Sequence, residues 1–190
     1  MSGLRPVKMG ADDIEWCFIP STDATIHGLY DAVVTVGAAA GNAGQLQVQT
    51  VARVAAGTNP IYGTIVEIDQ LGVENSNFSL ERRHRPASVG MYVGVYRALP
   101  GRQFYIEPAS ALAIGDIGGT ANLDTVTDAN TTTGISNMKM SATVSTSTNS
   151  TKQFRIRGFK DDPRLTIGTS VIDMLVEVAN IDISEGDDAK

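Results

Sequence analysis

Apolar positions along this chain recur in short runs with a period of two, and turn residues separate the runs. Leu46, Val48 and Thr50 alternate with Gln45, Gln47 and Gln49, the pattern of a strand with one buried face. Met91, Val93 and Val95 fall on one side of a further run, with Tyr92 and Tyr96 on the other. Phe154, Ile156 and Gly158 alternate with Arg155 and Arg157, and the residues from 171 to 178 form the strongest strand pattern. Shorter runs at 16–19, 32–36, 61–68 and 104–107 are rich in β-branched and aromatic residues, which favour strands. Gly63 is a candidate bulge within its run.

The punctuation between runs is equally regular. Pro20-Ser21-Thr22-Asp23, Gly57-Thr58-Asn59-Pro60 and Asp161-Asp162-Pro163-Arg164 have turn compositions. Pro100-Gly101 suits a type II turn, and the flanking runs are expected to pair as a hairpin. Residues 109–114 are the best short helix, stopped by Gly115. From Thr120 to Thr151, 15 of 32 residues are Ser or Thr. Val126, Ile135, Met138, Met140 and Val144 recur there, so short exposed strands and turns are expected, as a possible separate lobe at 120–151. About eight to ten short strands and no long helix-period segment predict an all-β chain, a β-sandwich, jelly-roll or barrel-like domain. The expected organisation is an extended N-terminal arm over 1–15, broken by Pro6 and two glycines, one β-rich domain over 16–184, and an acidic tail over 185–190.

Charge and composition narrow the function. The net charge of -6 and the lack of a long basic run argue against a nucleic-acid partner. The densest basic patch is Arg82-Arg83-His84-Arg85, read as a solvated loop or as a clamp on an acidic protein surface. No run approaches the ~20 apolar residues of a membrane span or forms a signal peptide at the start, so a soluble protein not secreted by that route is expected, and the single cysteine fits folding in a reducing cytosol. The lone Cys17 allows no intrachain disulfide and no cysteine-built metal cage; it reads as a buried thiol.

Searches for chemistry return little. His27 and His84, the only histidines, both read as surface residues. No G-x-S-x-G elbow places a nucleophile, and the glycines at 37, 41 and 44 match no phosphate loop. The pairs Asp12-Asp13, Asp161-Asp162 and Asp187-Asp188 would point to opposite faces of a strand. Asp124, Asp128 and Asn130 lack the Gly and closing Glu of a calcium loop. No catalytic residue, cofactor or metal is assigned, and the expectation is a protein that works through its surface rather than an enzyme.

Four stretches carry a resemblance. They are Gly3-Leu4-Arg5-Pro6-Val7, the run from Phe18 to Thr25, the run from Tyr92 through Gly101-Arg102 to Gly118, and the run from Phe154 through Pro163 to Val178. On these the chain resembles tailed-phage structural proteins encoded near the major capsid protein, the decoration or cement family. The resemblance implies an all-β protein on the outer capsid surface of the virion, made in the host bacterial cytoplasm. It would bind the major capsid protein and bridge capsid subunits, and self-associate as a trimer or, second, a dimer. The residues expected to carry the contact are Leu4, Arg5, Pro6 and Val7 of the arm, Trp16 and Phe18 at its base, and Arg82, Arg83 and Arg85 as carboxylate clamps. Alternatives are another virion component (minor head, tail or fibre), or a carbohydrate-binding attachment module that would need Tyr92, Tyr96 and Tyr105 on one exposed face.

Overall fold

The computed structural model describes residues 2–10, 13–37, 40, 47–57, 59–68, 84–146 and 151–182. Among them the regular structure is strand, apart from short 3-10 turns such as Ile114–Asp116. In chain order the strands are β1 (Arg5–Pro6), β2 (Ile14–Ile19), β3 (His27–Gly28), β4 (Ala32–Thr35), β5 (Val51–Arg53), β6 (Gly63–Ile68), β7 (His84–Arg85), β8 (Met91–Arg97), β9 (Gln103–Ile106), β10 (Thr120–Ala121), β11 (Leu123–Thr125), β12 (Lys139–Met140), β13 (Phe154–Phe159) and β14 (Met174–Val178). The chain is all-β, as its alternation predicts.

One sheet runs β2-β8-β6-β4-β5, each strand antiparallel to the next. Its two ends meet: Phe18 forms a parallel bridge with Thr50, and the Phe18 N–H donates to the Gln49 carbonyl at 2.9 Å. The sheet therefore curls into a small barrel with no long free edge. Cys17, Ile19, Val33, Val51, Tyr62, Ile65, Val93 and Val95 form one buried cluster. The register places these alternate positions of the barrel strands on one face, which is the barrel interior.

The opposite face of the barrel sheet meets a second sheet, β1-β9-β14-β13-β10. Phe104, Ile106, Phe154, Ile156, Met174, Val176 and Val178 of that sheet pack with Ala32 and Tyr96 of the barrel. Tyr96 and Phe104 meet edge to face, their centroids 5.8 Å apart. Arg155, Arg157 and Glu177 occupy the outward positions between these apolar ones. This is the period-two pattern of a sheet buried on one side.

Several expectations need correction. Residues 2–7 are extended, but they belong to the domain. Leu4 is fully buried in the main core, and Arg5 and Pro6 pair with Tyr105 and Phe104 as the edge strand of the second sheet. Gly3 makes this approach possible: a Cβ there would sit 2.7 Å from Tyr30 Cβ and 2.8 Å from Ser136 Cβ. The β8 and β9 runs do not form a hairpin. The Leu99–Arg102 turn forms as expected, with Gly101 at φ +82 and the Arg102 N–H donating to Leu99 O, but it carries the chain from the barrel into the second sheet.

Residues 109–114 form no helix; the short 3-10 turn at Ile114–Asp116 includes Gly115. Continuous strand pairing falls at Val51–Arg53; within the predicted 46–50 run, of which 47–50 are described, Val48 and Thr50 pair as single bridges to Ala40 and Phe18. The β6 bulge lies between Ile65 and Glu67. Gly63 serves close packing instead, since a Cβ would lie 2.5 Å from Tyr96 O. The Ser/Thr-rich segment is no separate lobe: Ala121, Leu123, Met138 and Met140 are buried in the main core. The acidic tail at 185–190 lies outside the described residues.

Candidate functional site

The most concentrated polar chemistry in the described chain lies where loop 20–26 joins β3 and β7. Polar residues at 23, 25 and 27 alternate along an extended segment, and the β3–β7 ladder sets His27 opposite Arg85. His27 is fully buried, against the expectation of a surface histidine. Its Nε2 lies 2.9 Å from Asp23 Oδ2 and 2.7 Å from Thr25 Oγ1, and its Nδ1 is 3.9 Å from Asp31 Oδ2. Thr25 donates its hydroxyl to Asp23 Oδ1. Asp31 accepts the Gly28 N–H at 3.0 Å and is itself fully buried.

Arg85, also fully buried, donates to the carbonyls of Val89, Thr25 and Pro20, each at 2.7 Å. Its Nη1 is 3.9 Å from Asp23 Oδ1. Burial alone would push the Asp23 carboxyl up, but hydrogen bonds from His27 and Thr25 hold it well below the usual carboxylate range. Burial pushes the Asp31 carboxyl up.

This constellation lacks the geometry of a hydroxyl–imidazole–carboxylate relay. A relay needs the hydroxyl on one ring nitrogen and the carboxylate on the other. Here Thr25 and Asp23 share Nε2, the Thr25 hydroxyl proton goes to Asp23, and the Asp31 carboxylate that faces Nδ1 stands 3.9 Å away, beyond hydrogen-bond reach. The cluster ties backbone to backbone. Asp23 and Thr25 also line an open groove of about 640 Å³, together with Pro20, Val36, Arg53 and Asp124. Among the described residues no group of three or more His, Cys, Asp or Glu side chains is arranged to hold a metal ion.

The residues expected to carry an interface separate into three groups. Leu4, Phe18 and Arg85 are buried and unavailable to a partner: Leu4 in the core, Phe18 tilted against Tyr92 with ring centroids 5.1 Å apart, Arg85 on its three carbonyls. Arg5 is ion-paired to Asp173 at 2.7 Å and, with Pro6, lies in the edge ladder. Val7 and Trp16 remain exposed, at 42% and 39%. Arg82 and Arg83 lie outside the described residues. The tyrosines of the carbohydrate-binding alternative form no exposed platform, because Tyr92 and Tyr96 are buried.

A different surface emerges at one end of the second sheet. Ile106 and Phe159 both pair with Met174, so the chain leaving β9 (107–119) and the β13–β14 connection (160–173) issue from the same end. The two are joined by the Gly168 N–H donating to Leu112 O at 3.0 Å. Ile114 (66%), Ile117, Leu165, Ile167 and Val171 are all exposed there. Isolated exposed aliphatics are ordinary; five on two bonded loops make this end a candidate contact surface. Sequence reading placed 109–114 in a helix and Val171 in a strand, and so missed it. The available signal was Ile, Leu and Val among the Gly and Thr residues of two loops.

No family model, curated protein or solved structure matches the chain.

Proposed function

We propose that this chain is a structural protein that binds the outer surface of a tailed-phage head and bridges its subunits, as a decoration or cement protein. The observation that carries the reading is the aliphatic end of the second sheet, displayed by two loops braced on a barrel. The Asp23–His27–Arg85 cluster, with His27 and Arg85 buried and bonded within the chain, and the four-stretch sequence resemblance support it. The occupant of the aliphatic end is a subunit of the shell.

A protein that binds only the assembled shell adds stability by mass action. Repetition over many equivalent positions multiplies the effect through avidity where one copy touches two subunits. Ile114, Leu165 and Ile167 provide the apolar centre of this contact. The exposed Val7 and Trp16 contribute from other surfaces. The leading segment contributes through Val7 rather than as a free arm.

The test mixes purified chain with assembled heads lacking it, then separately with tails. The expected result is sedimentation with heads and a higher head disruption temperature, both lost in an Ile114→Asp/Ile167→Asp double variant that keeps the wild-type melting curve. Sedimentation with tails alone would move the protein to the tail. A wild-type chain left in the supernatant by both particles ends the reading.

A further inference from the structure

The barrel seam between β2 and β5 closes at one point and then opens. Phe18 and Thr50 form its parallel bridge, with the Phe18 N–H donating to Gln49 O. A parallel ladder would continue with the N–H of residue 20 on Val51 O, and with the Arg53 N–H on the carbonyl of residue 20. Neither bond forms. Pro20 has no N–H to give. Its carbonyl is taken by the Asp23 N–H at 3.0 Å and by Arg85 Nη2 at 2.7 Å.

Beyond the bridge, β5 is therefore an open edge. Its pairing with β4 uses residues 50, 52 and 54. The Val36 N–H donates to Thr50 O and the Val54 N–H to Ala32 O, with Ala52 opposite Val34 between them. The intervening residues point their backbone groups the other way, so the Val51 carbonyl and the Arg53 N–H and carbonyl face the seam. Among the described residues no backbone partner meets them there.

The groove of about 640 Å³ is this opened seam. Its lining comes from residues 52–56, which continue β5, and from Pro20, Thr22, Asp23 and Thr25, which continue β2. Ala55 and Ala56 are exposed and small, so no bulky side chain covers the edge. Arg53 is paired to Asp128 at 2.9 Å, and Asp23 is held by His27 and Thr25. Asp124 is exposed in the lining and has no ion-pair partner among the described residues. The charge left without compensation is negative.

We propose that the open edge of β5 is a docking site for an extended segment of a partner protein. The segment adds a strand within the opened seam and sets a lysine or arginine against Asp124. Residues 51 and 53 supply backbone hydrogen bonds that any extended chain can complete, and the side chains of the groove select among such chains. Folds usually cover or blunt a bare edge. Here Pro20 and Arg85 keep it uncovered, recessed in a groove where one strand enters. The site shares no residue with the aliphatic end of the second sheet and does not depend on its role.

The test uses the full, isotope-labelled chain and the peptide acetyl-Thr-Lys-Val-Lys-Val-Thr-amide, read by NMR. In the free protein the Arg53 amide should exchange with solvent far faster than those of Ala52 and Val54. Peptide at up to about 1 mM should bind saturably, shift the amide signals of residues 51–56 and protect Arg53. Methylating the peptide nitrogens at alternate residues should abolish binding in one alternation and spare it in the other, because one peptide edge meets β5. Asp124→Lys, at an exposed position, should weaken binding about two- to fivefold and favour the glutamate counterpart of the peptide. The proposal is overturned by no saturable binding, by shifts centred away from 51–56, or by equal affinity of the two methylated forms. Indifference to Asp124→Lys, or a glutamate peptide bound as tightly by wild type, removes the basic occupant. An Arg53 amide already protected in the free protein gives the edge to this chain or to a second copy, and overturns it as well.

Discussion

The Arg85 guanidinium passes 3.9 Å from the Asp23 carboxylate, yet its N–H groups are spent on the carbonyls of Pro20, Thr25 and Val89. A buried arginine used this way is a brace between β7 and loop 20–26. It needs the planar fork that lysine lacks. Arg85→Met should cost about 3–5 kcal/mol, by stranding three carbonyls beside the half-buried Asp23 carboxylate. Arg85→Lys should recover less than half of that. Urea unfolding midpoints measure both. A loss below about 1 kcal/mol, the range of surface changes, would mean that the brace is dispensable.

The integrated leading segment makes a second prediction. Gly3 holds φ +90, and any Cβ would enter the space of Tyr30 and Ser136. Gly3→Ala should therefore cost roughly 2–4 kcal/mol, from backbone strain plus overpacking. Removing residues 2–7 deletes Leu4 from the core and strips the edge strand from β9, and should give unfolded or aggregated chain. A truncated protein with the wild-type melting temperature would restore the free-arm picture.

How far residues announced these roles depended on whether the cause was local. Strands β8, β13 and β14 were legible because alternation is a local pattern imposed by one buried face. The Leu99–Arg102 turn was legible for the same reason; its destination in another sheet was not. Leu4 gave no periodic signal, since its burial depends on Gly3 slipping between Tyr30 and Ser136, which are distant in sequence. Arg85 looked like a clamp because charge in a sequence suggests solvent. Only the carbonyls of Pro20 and Thr25, about 60 positions away, turn it inward. The Asp23, Thr25, His27 and Asp31 spacing was on view, but the reading of His27 as a surface residue hid its meaning.

Acid should attack the same region through Asp23. Its carboxyl is held well below the usual range by His27 and Thr25, against the opposing effect of burial. A group lowered on folding contributes stability that is complete above its unfolded value, near ~3.9, and is lost as pH falls toward the folded one. The protein should therefore lose stability below about pH 4, and Asp23→Asn should flatten this acid limb while lowering stability at neutral pH. Circular dichroism melts from pH 2 to 6 test it; an acid limb unchanged in the variant would assign acid sensitivity to other carboxylates.

Cys17 tests the barrel. It is fully buried among Ile19, Val33 and Val95, and burial, with Glu15 nearby, pushes its thiol up to about 12. The reactive thiolate is then nearly absent at neutral pH. An aromatic disulfide reagent should leave the native thiol untouched and modify it in urea, at the rate of barrel opening. A raised group favours the folded state below its unfolded value, near ~8.5, and loses that contribution above it. An alkaline loss from Cys17 should thus begin near pH ~8.5. Cys17→Ala should cost about 1 kcal/mol for lost packing, and Cys17→Ser more, since a hydroxyl there needs a hydrogen-bond partner. Rapid modification of the native protein would show that the five strands do not close.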